Sequence, residues 1–240
     1  MTLPRNDGRP ANALRTIRFE PGFNRYAEGS VLTRFGDTVV LCNASLEETV
    51  PPFLRGQGRG WVTAEYAMIP RAGSSRSPRE AVRGRIGGRT HEIQRLIGRS
   101  LRAVTDLSLL GERTLVIDCD VLQADGGTRT AAITGSCLAL SLALRKLEKN
   151  GVAAGRALKE RVAAVSVGLV AGAALLDLNY EEDSRAAVDM NFVVTESGRF
   201  VEIQGTGEEA TFSVPEFDRL RDLALEGCRE LLRLQAEVLG

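Results

Sequence analysis

A glycine turn followed by arginine is the segment of this chain best suited to chemistry. The run Asp125-Gly-Gly-Thr-Arg-Thr130 joins an alternating apolar segment to an apolar helical segment. Glycine lets the backbone approach a ligand closely, and the unpaired amides at a helix N-terminus attract anions. Gly127, Thr128 and Arg129 therefore indicate a phosphate site. An ordinary strand-to-helix turn has the same pattern and is the alternative interpretation.

A second glycine-arginine run, Gly87-Gly-Arg-Thr90, also precedes a predicted helix. The planar fork of an arginine binds phosphate oxygens in pairs and stays charged. Arg89 and Arg129 could therefore converge on one oxyanion, although Gly87–Thr90 alone is also compatible with a plain loop. Neither run matches the loop that holds nucleoside triphosphates or the dinucleotide fingerprint, so kinase and dehydrogenase chemistry is not supported.

Acidic residues are concentrated between residues 181 and 191. Asp189 begins a segment that becomes apolar at once, which predicts a carboxylate at a strand start near the interior, and Asp183 is predicted in the preceding polar loop. Two such acids can hold Mg²⁺, or divide into an ion ligand and a proton donor. Acids that only cap or solvate a turn are the alternative. Asp118 and Asp120, on the less apolar face of a strand, are weaker candidates.

Arginines are crowded into the polar segment 71–89. The members of this series are Arg71, Arg76, Arg79, Arg83 and Arg85. The whole chain carries 31 basic and 31 acidic residues, so polyanion binding must come from local clustering and not from net charge. Such a cluster can follow a sugar-phosphate backbone without reading bases, and the alternative is a solvated surface.

Composition restricts the class of protein further. The chain has 240 residues, which fits one large or two small domains, and its 43% hydrophobic content is enough for a substantial core. No linker-like shift in composition divides the sequence, so one compact domain over 1–240 is predicted. The four scattered cysteines predict buried free thiols in a reducing compartment. The single His91 excludes a site that needs several histidines. No signal peptide and no membrane span is expected, so we expect a cytoplasmic protein without a membrane partner.

The chemistry-bearing residues must be positioned by strands and helices that the hydrophobic pattern predicts. Short β-type runs bounded by turn residues predict strands at 16–19, 29–35, 38–44, 62–69, 114–123, 162–170, 174–178, 186–194 and 200–203, and period-two alternation marks the apolar face of the strand at 114–123. Helices are predicted from Thr90, from Thr130 to Lys149, and after a capping box at Ser213 and Glu216. Strand-rich blocks that are each followed by helix indicate an α+β fold with mixed sheets and split βαβ character, not a doubly wound parallel sheet.

Taken together, these segments resemble the ribonuclease PH family, in the expected order across nearly the whole chain. The segments that carry the resemblance are Ala27–Leu32, Gly60–Tyr66, Gly87–Thr90 with Glu92–Ile97, Asp118–Thr130, Glu182–Ser184 and Asp189–Asn191. The resemblance implies the ribosomal protein S5 domain 2-like fold and a homohexameric ring built as a trimer of dimers. It also implies 3′-to-5′ phosphorolysis, in which inorganic phosphate removes nucleotides from RNA, chiefly tRNA precursors, and nucleoside diphosphates are released.

The resemblance also implies roles for residues of this chain. Arg89, Gly127, Thr128 and Arg129 would bind phosphate, Asp183 and Asp189 would be the catalytic acids and the Mg²⁺ ligands, and Arg71, Arg76 and Arg79 would contact tRNA.

Two other functions are compatible with parts of the pattern. A catalytically silent RNA-binding ring subunit of an exosome-like assembly would have no physical need for the complete set of site residues. A hydrolytic nuclease would bind two metal ions through a denser carboxylate cluster than the sequence offers. The nature of the released nucleotide separates the three functions.

Overall fold

Nine strands and five helices are present in the described part of the chain. The computed structural model describes residues 5–208 and 210–240, without the side chains of residues 81 and 83. The strands are β1 Ile17–Pro21, β2 Gly29–Phe35, β3 Thr38–Glu47, β4 Trp61–Met68, β5 Thr114–Gln123, β6 Val162–Val170, β7 Ala173–Leu176, β8 Val188–Thr195 and β9 Phe200–Gly207. The helices are α1 Gly88–Ala103, α2 Leu107–Leu110, α3 Thr128–Lys149, α4 Tyr180–Asp183 and α5 Val214–Leu239. Short 3₁₀ turns cover Pro52–Leu54, Glu80–Arg83 and Ala153–Arg156.

The strands form two sheets, which confirms the α+β class, but only the first sheet is mixed, as predicted, and the second is antiparallel throughout. The first sheet has the order β1-β2-β3-β5-β4, and the second has the order β7-β6-β8-β9. Strands β1 to β3 form the predicted antiparallel meander. Strands β4 and β5 are parallel neighbours connected through α1, so they form the βαβ unit of the fold.

Strand β5 shows how the sequence pattern sets the faces of the first sheet. Leu115, Ile117, Cys119 and Val121 are buried, as their alternation predicts. Their side chains therefore face the core, whereas the intervening acids of β5 lie on the other face of the sheet.

Helix α3 is the central element of the core. It packs against β2, β3 and β5 of the first sheet and against β6 of the second. The approach is close: a Cβ at Gly135 would lie 2.2 Å from Thr33 Oγ1, and a Cβ at Gly29 would lie 2.0 Å from the Ala139 carbonyl oxygen. One hydrophobic cluster accordingly includes buried residues of both sheets. Helix α3 thus packs between the two sheets.

Several local predictions differ from the structure. Helix α1 starts at Gly88 with Gly87 as its N-cap, so the prediction that Thr90 caps this helix is wrong. Thr90 lies inside the first turn and donates a hydrogen bond to Glu80 Oε1 at 2.9 Å, because a carboxylate of the preceding 3₁₀ turn is within reach. Asp183 ends the short helix α4 instead of lying in a loop.

Other local predictions are confirmed. The Ser213 and Glu216 capping box is present at the start of α5. The four cysteines are free and buried. Burial raises the pKa of the Cys137 thiol to about 11, which keeps it protonated and unreactive at neutral pH.

Candidate active site

The turn before α3 contains two glycines, which allow a ligand to approach the backbone closely. Gly126 and Gly127 have φ angles of +73° and +62°, in the left-handed region that favours glycine. A Cβ at Gly126 would lie 2.6 Å from the carbonyl oxygen of Leu178, so only glycine fits this position. Gly127 is the N-cap of α3 and makes no side-chain cap bond. The first amides of α3 are therefore free to bind an anion.

These amides border a cavity of about 310 Å³ between the two sheets. The cavity brings together all six predicted phosphate-binding and acidic residues. Its lining includes Arg89, Gly127, Thr128, Arg129, Asp183 and Asp189. Arg89 comes from the first turn of α1 and Arg129 from the first turn of α3, so two helix starts converge as the sequence predicts.

Neighbouring polar groups hold the residues of the α3 N-terminus in place. Tyr66 donates its hydroxyl hydrogen to Thr128 Oγ1 at 2.8 Å. Burial raises the pKa of Tyr66, so this phenol stays protonated and remains a donor. Arg129 donates to Gln204 Oε1 at 3.0 Å and lies 3.6 Å from a carboxylate oxygen of Glu92. The guanidinium is thus oriented by two side chains while it still borders the cavity.

The two acids of the cavity are both more readily protonated than exposed carboxylates. Burial raises the pKa of Asp183, and Arg89 and Arg129 partly oppose that rise. Burial, together with the nearby charge of Asp183, raises the pKa of Asp189 from 3.8 to about 6. Asp189 therefore changes its protonation state close to neutral pH, which suits a group that donates or accepts a proton.

Asp189 also has an atom that lacks a partner. Its Oδ1 is buried and makes no hydrogen bond with the described residues. A buried acceptor without a partner is costly, so this oxygen fits a proton, a ligand hydroxyl or a metal ion. No group of three or more acidic, histidine or cysteine side chains in the described part of the chain is arranged to hold a metal. Two carboxylates still suit Mg²⁺, which commonly binds one or two carboxylates plus waters and substrate phosphates.

The predicted RNA-contacting arginines lie outside the cavity. Arg71, Arg76 and Arg79 are exposed on the segment between β4 and α1. The base of this segment is tied to the glycine turn, because the Ala124 amide donates to the Ala72 carbonyl at 2.9 Å. The arginine segment therefore begins beside the cavity, and its arginines extend over the surface. The side chain of Arg83, the fourth arginine of the series, lies outside the described part of the structure.

Eight further residues line the cavity that the predicted site did not include: Met68, Ala124, Gly126, Ser166, Tyr180, Ser184, Asn191 and Glu208. Asn191 follows Asp189 by two positions on β8, so strand periodicity could have assigned it to the same face. Ser166 lies opposite Asn191 in the β6–β8 register, which only the strand pairing reveals.

An anion cradle of two arginines and helix amides that faces two carboxylates, on a two-sheet α+β fold, defines the site of a phosphate-using enzyme. The family model described as 3′ exoribonuclease family, domain 1, matches residues 13–146. The model for domain 2 of the same family matches residues 160–227. The chain thus belongs to the 3′ exoribonuclease family.

Curated relatives narrow this class. The chain is 57% identical to a ribonuclease PH of Syntrophomonas wolfei over the full length of both proteins. It is 58% identical to a ribonuclease PH of Bacillus velezensis, over 98% of this chain and 97% of the relative. The chain therefore belongs to the ribonuclease PH family, and it is a phosphate-dependent 3′ exoribonuclease.

A solved structure shares the fold at much lower identity. The Archaeoglobus fulgidus exosome with RNA bound to the active site matches with a TM-score of 0.78 and 22% identity, over 96% of this chain and 92% of that chain. This likeness concerns the fold alone. Because the full-length relatives at high identity carry the name ribonuclease PH, the silent ring subunit is not favoured. Within the described residues, no helix is both long and apolar enough to cross a membrane.

Proposed function

We propose that this enzyme trims the 3′ ends of tRNA precursors by phosphorolysis, with free phosphate bound by Arg89, Arg129 and the Gly127–Thr130 backbone. One observation carries the proposal: both arginines, the glycine turn and the two acids border one cavity. The arginine forks and the helix amides are complementary to a small oxyanion. The bound phosphate would lie in line with the last phosphodiester of the RNA.

The reaction would exchange one bond to phosphorus for another. An oxygen of the bound phosphate forms a bond with the phosphorus of the terminal nucleotide, and the bond between that phosphorus and the 3′ oxygen of the preceding nucleotide breaks. The products are a nucleoside diphosphate and an RNA shorter by one residue, with a free 3′ hydroxyl. Catalysis in such transfers consists mainly of positioning and charge stabilisation.

Asp189 is our candidate for protonation of the leaving 3′ oxygen. Its pKa of about 6 leaves a fraction of the protein protonated near neutral pH. The unpartnered Oδ1 provides a position for the transferred proton. Arg89 and Arg129 would neutralise charge on the equatorial oxygens as the bonds exchange.

We also propose that Asp183 and Asp189 hold Mg²⁺. Both border the cavity, and the unpartnered oxygen of Asp189 fits a hard cation. When bound, the ion would offset negative charge on the phosphoryl oxygens. This assignment competes with proton donation by Asp189, and Asp183 is the better candidate for the ion if Asp189 carries the proton.

The exposed arginines Arg71, Arg76 and Arg79 are proposed to contact the tRNA backbone, because their segment leaves β4 at the cavity. We further propose a cytoplasmic homohexamer, a trimer of dimers, in which residues 1–240 form one domain. The continuous core across both sheets supports one domain. A hexamer would show a mass about six times the 25.9 kDa chain in light scattering, and a monomer would contradict it.

The central test is nucleotide release from a tRNA that carries a 3′ extension, with and without added phosphate. We expect nucleoside diphosphates that appear only with phosphate. Nucleoside monophosphates would indicate hydrolysis, and no release would indicate a silent subunit. Both results contradict the proposal.

Variants of one helix test the phosphate site itself. Arg89→Ala should abolish phosphorolysis without unfolding the protein. Arg99→Ala is the matched control, because Arg99 lies on the same helix and pairs with Glu202 at 2.7 Å, away from the cavity lining. Wild-type phosphate dependence in the Arg89 variant would rule out the assignment.

A further inference from the structure

A buried ion pair lies directly behind the glycine turn. Arg15 and Asp177 are almost fully shielded from solvent, at 6% and 0% exposure. Arg15 donates from Nη2 to Asp177 Oδ1 at 2.7 Å, and from its backbone amide to Asp177 Oδ2 at 2.8 Å. Neither residue lines the cavity. The pair is therefore a support of the site and does not itself contact the phosphate.

The Arg15 guanidinium also interacts with the backbone carbonyl groups of the glycine turn. Nη1 donates to the Asp125 carbonyl oxygen, and Nη2 is 3.5 Å from the Gly126 carbonyl oxygen. Thr38 reinforces this grip, because its hydroxyl donates to the Gly126 carbonyl at 2.6 Å and accepts from the Asp125 amide at 2.9 Å. Both carbonyls of the turn are thus bound by side chains that do not line the cavity.

Fixing the carbonyls also fixes the amides. In a trans peptide, the carbonyl of one residue and the amide of the next residue point in opposite directions. The hydrogen bonds to the carbonyls of Asp125 and Gly126 therefore direct the amides of Gly126 and Gly127 away from Arg15, which does not line the cavity that both glycines border. Glycines at positive φ have great conformational freedom, so a turn of two such residues needs an external constraint to hold one orientation.

The supporting pair shows signs of a constrained position. Asp177 has a φ angle of +54°, a left-handed conformation that is uncommon outside glycine. Arg9 also approaches Asp177, with its Nη1 3.7 Å from Oδ2. Residues in disfavoured backbone conformations persist where the surroundings fix them, and they concentrate at functional sites. The position of Arg15 is therefore fixed from two sides, which makes it a rigid anchor.

We propose that Arg15 is a positioning residue for phosphorolysis, which sets the amides of the glycine turn for phosphate through the carbonyl grip. This inference rests on the proposed phosphate site. Because the charge of Arg15 is paired with Asp177, the effect is geometric and concerns the fork of the guanidinium more than its charge. A lysine at this position could still pair with Asp177, but its single nitrogen could not also hold both carbonyls.

The test compares Arg15→Lys with the wild-type enzyme by steady-state kinetics in which phosphate and RNA are varied separately. We expect the KM for phosphate to rise at least about tenfold, because loss of a charged hydrogen bond has this order of effect. The KM for RNA should stay within about twofold. A merely structural role would lower melting temperature and would not separate the two KM values.

Arg161→Lys is the matched control. Arg161 is also a shielded arginine that binds a carboxylate and a carbonyl, through Glu196 and the Leu232 carbonyl at 3.0 Å. It lies at the opposite end of the β6–β8 pair from Asp189. An unchanged phosphate KM in Arg15→Lys, or an equal rise in Arg161→Lys, would overturn the inference.

If Arg15→Lys does not fold, the double variant Arg15→Met with Asp177→Asn removes both charges of the pair together and retains an acceptor for the Arg15 backbone amide. Replacement of a whole buried pair is often tolerated. The same rise in phosphate KM is expected, and a wild-type value in this folded variant would count against the inference. Arg89→Ala distinguishes failure of the proposed function from failure of the positioning role. If Arg89→Ala retains normal phosphate dependence, the proposed function is wrong. If Arg89→Ala loses activity but the Arg15 variants retain normal phosphate dependence, only the positioning role is wrong.

Discussion

The two halves of the chain bring opposite charges to the same cavity. The half that forms the first sheet contributes Arg89 and Arg129, both at helix starts, and the half that forms the second sheet contributes Asp183 and Asp189. Neither half contains a complete site. Helix α3 begins at the cavity and packs against both sheets, so the element that presents Arg129 also fixes the distance between the two sets of charges.

The difference between the halves lies in how their charged groups are held. Arg129 is oriented by direct polar contacts with Gln204 and Glu92. Asp189, in contrast, has a buried oxygen without a hydrogen bond, and its pKa is raised to about 6. Arg129 is thus preorganised to bind an anion, whereas Asp189 retains a buried oxygen without a partner among the described residues. A residue that only binds an anion functions best when its side chain is held in place, whereas a residue that transfers a proton needs an atom that is not already hydrogen-bonded.

The largest effect is expected from replacement of Asp189, the acid that we propose to take part in the reaction. Asp189→Asn should lower kcat by about 10²- to 10⁴-fold, because general acid–base groups contribute this much. Phosphate affinity should not fall, since the arginine side remains intact. Stopped-time assays of diphosphate release and phosphate titration measure the two quantities.

Asp118→Asn is a suitable control for the loss of a partly buried acid. Burial also raises the pKa of Asp118, but this residue lies on β5 and borders a different cavity. It should retain wild-type kcat. Equal losses in the two variants would mean that Asp189 has no special role.

Substitution in the glycine turn tests how tightly the anion-binding backbone is packed. Gly126→Ala should lower the free energy of unfolding by about 3 kcal/mol, because left-handed strain adds to overpacking against the Leu178 carbonyl. Gly172→Ala separates these causes, since Gly172 has a φ of +81° with nothing within 4 Å of its Cβ position. It should cost only about 1 kcal/mol, the strain alone. Urea unfolding measures the free energy of unfolding of both variants. Equal losses in the two variants would mean that contact with the Leu178 carbonyl adds no cost at Gly126.

Local segments with a strong period were predictable from sequence. Strands β2, β5 and β6 match the predicted limits, because β5 has a regular apolar face, β6 is a run of mainly apolar residues, and β2 is a short β-type run that ends at a turn. Helices α2 and α4 were not predicted, since each has only four residues and too little sequence for a period. The start of α1 was misplaced, because Gly87 caps it without any side-chain signal.

The site was predictable where chemistry lies within one segment and not where it depends on strand pairing. The glycine-arginine runs pointed to Arg89 and Arg129 before any fold was known. Ser166 and the supporting pair of Arg15 and Asp177 were missed, because residues far apart in sequence meet only after the sheets form. No local pattern marks an arginine that acts through the backbone of another segment.

The ionised Asp189 carboxylate should also lower the free energy of unfolding. The folded state raises the pKa of Asp189 from 3.8 to about 6, so it binds the proton more tightly than the unfolded chain does. The stability contributed by this group is therefore complete below about pH 3.8, and it is lost as the pH rises through about 6. At pH 8, Asp189→Asn should be more stable than wild type by about 1–3 kcal/mol, after allowance for partial solvent exposure.

Unfolding of both proteins in urea at pH 8 and pH 4 measures this effect. The advantage of the asparagine variant should shrink at pH 4, where most of the wild-type carboxyl is protonated. A constant difference between the two pH values would show that the acid is not destabilised in the fold.

The smallest effect is expected from the exposed arginines of the first half, which lie outside the cavity. Arg76→Ala should raise the KM for RNA only a few-fold, leave the KM for phosphate unchanged and reduce the salt dependence of RNA binding by about one counterion. Arg233→Ala on α5 is the control, since Arg233 is exposed but its charge is paired with Glu230 and Glu237. Filter-binding at several salt concentrations gives the slopes. If the salt dependence of RNA binding were the same for Arg76→Ala and the wild type, Arg76 would not contact the RNA. The positive charge that serves the reaction would then lie in the cavity, at Arg89 and Arg129.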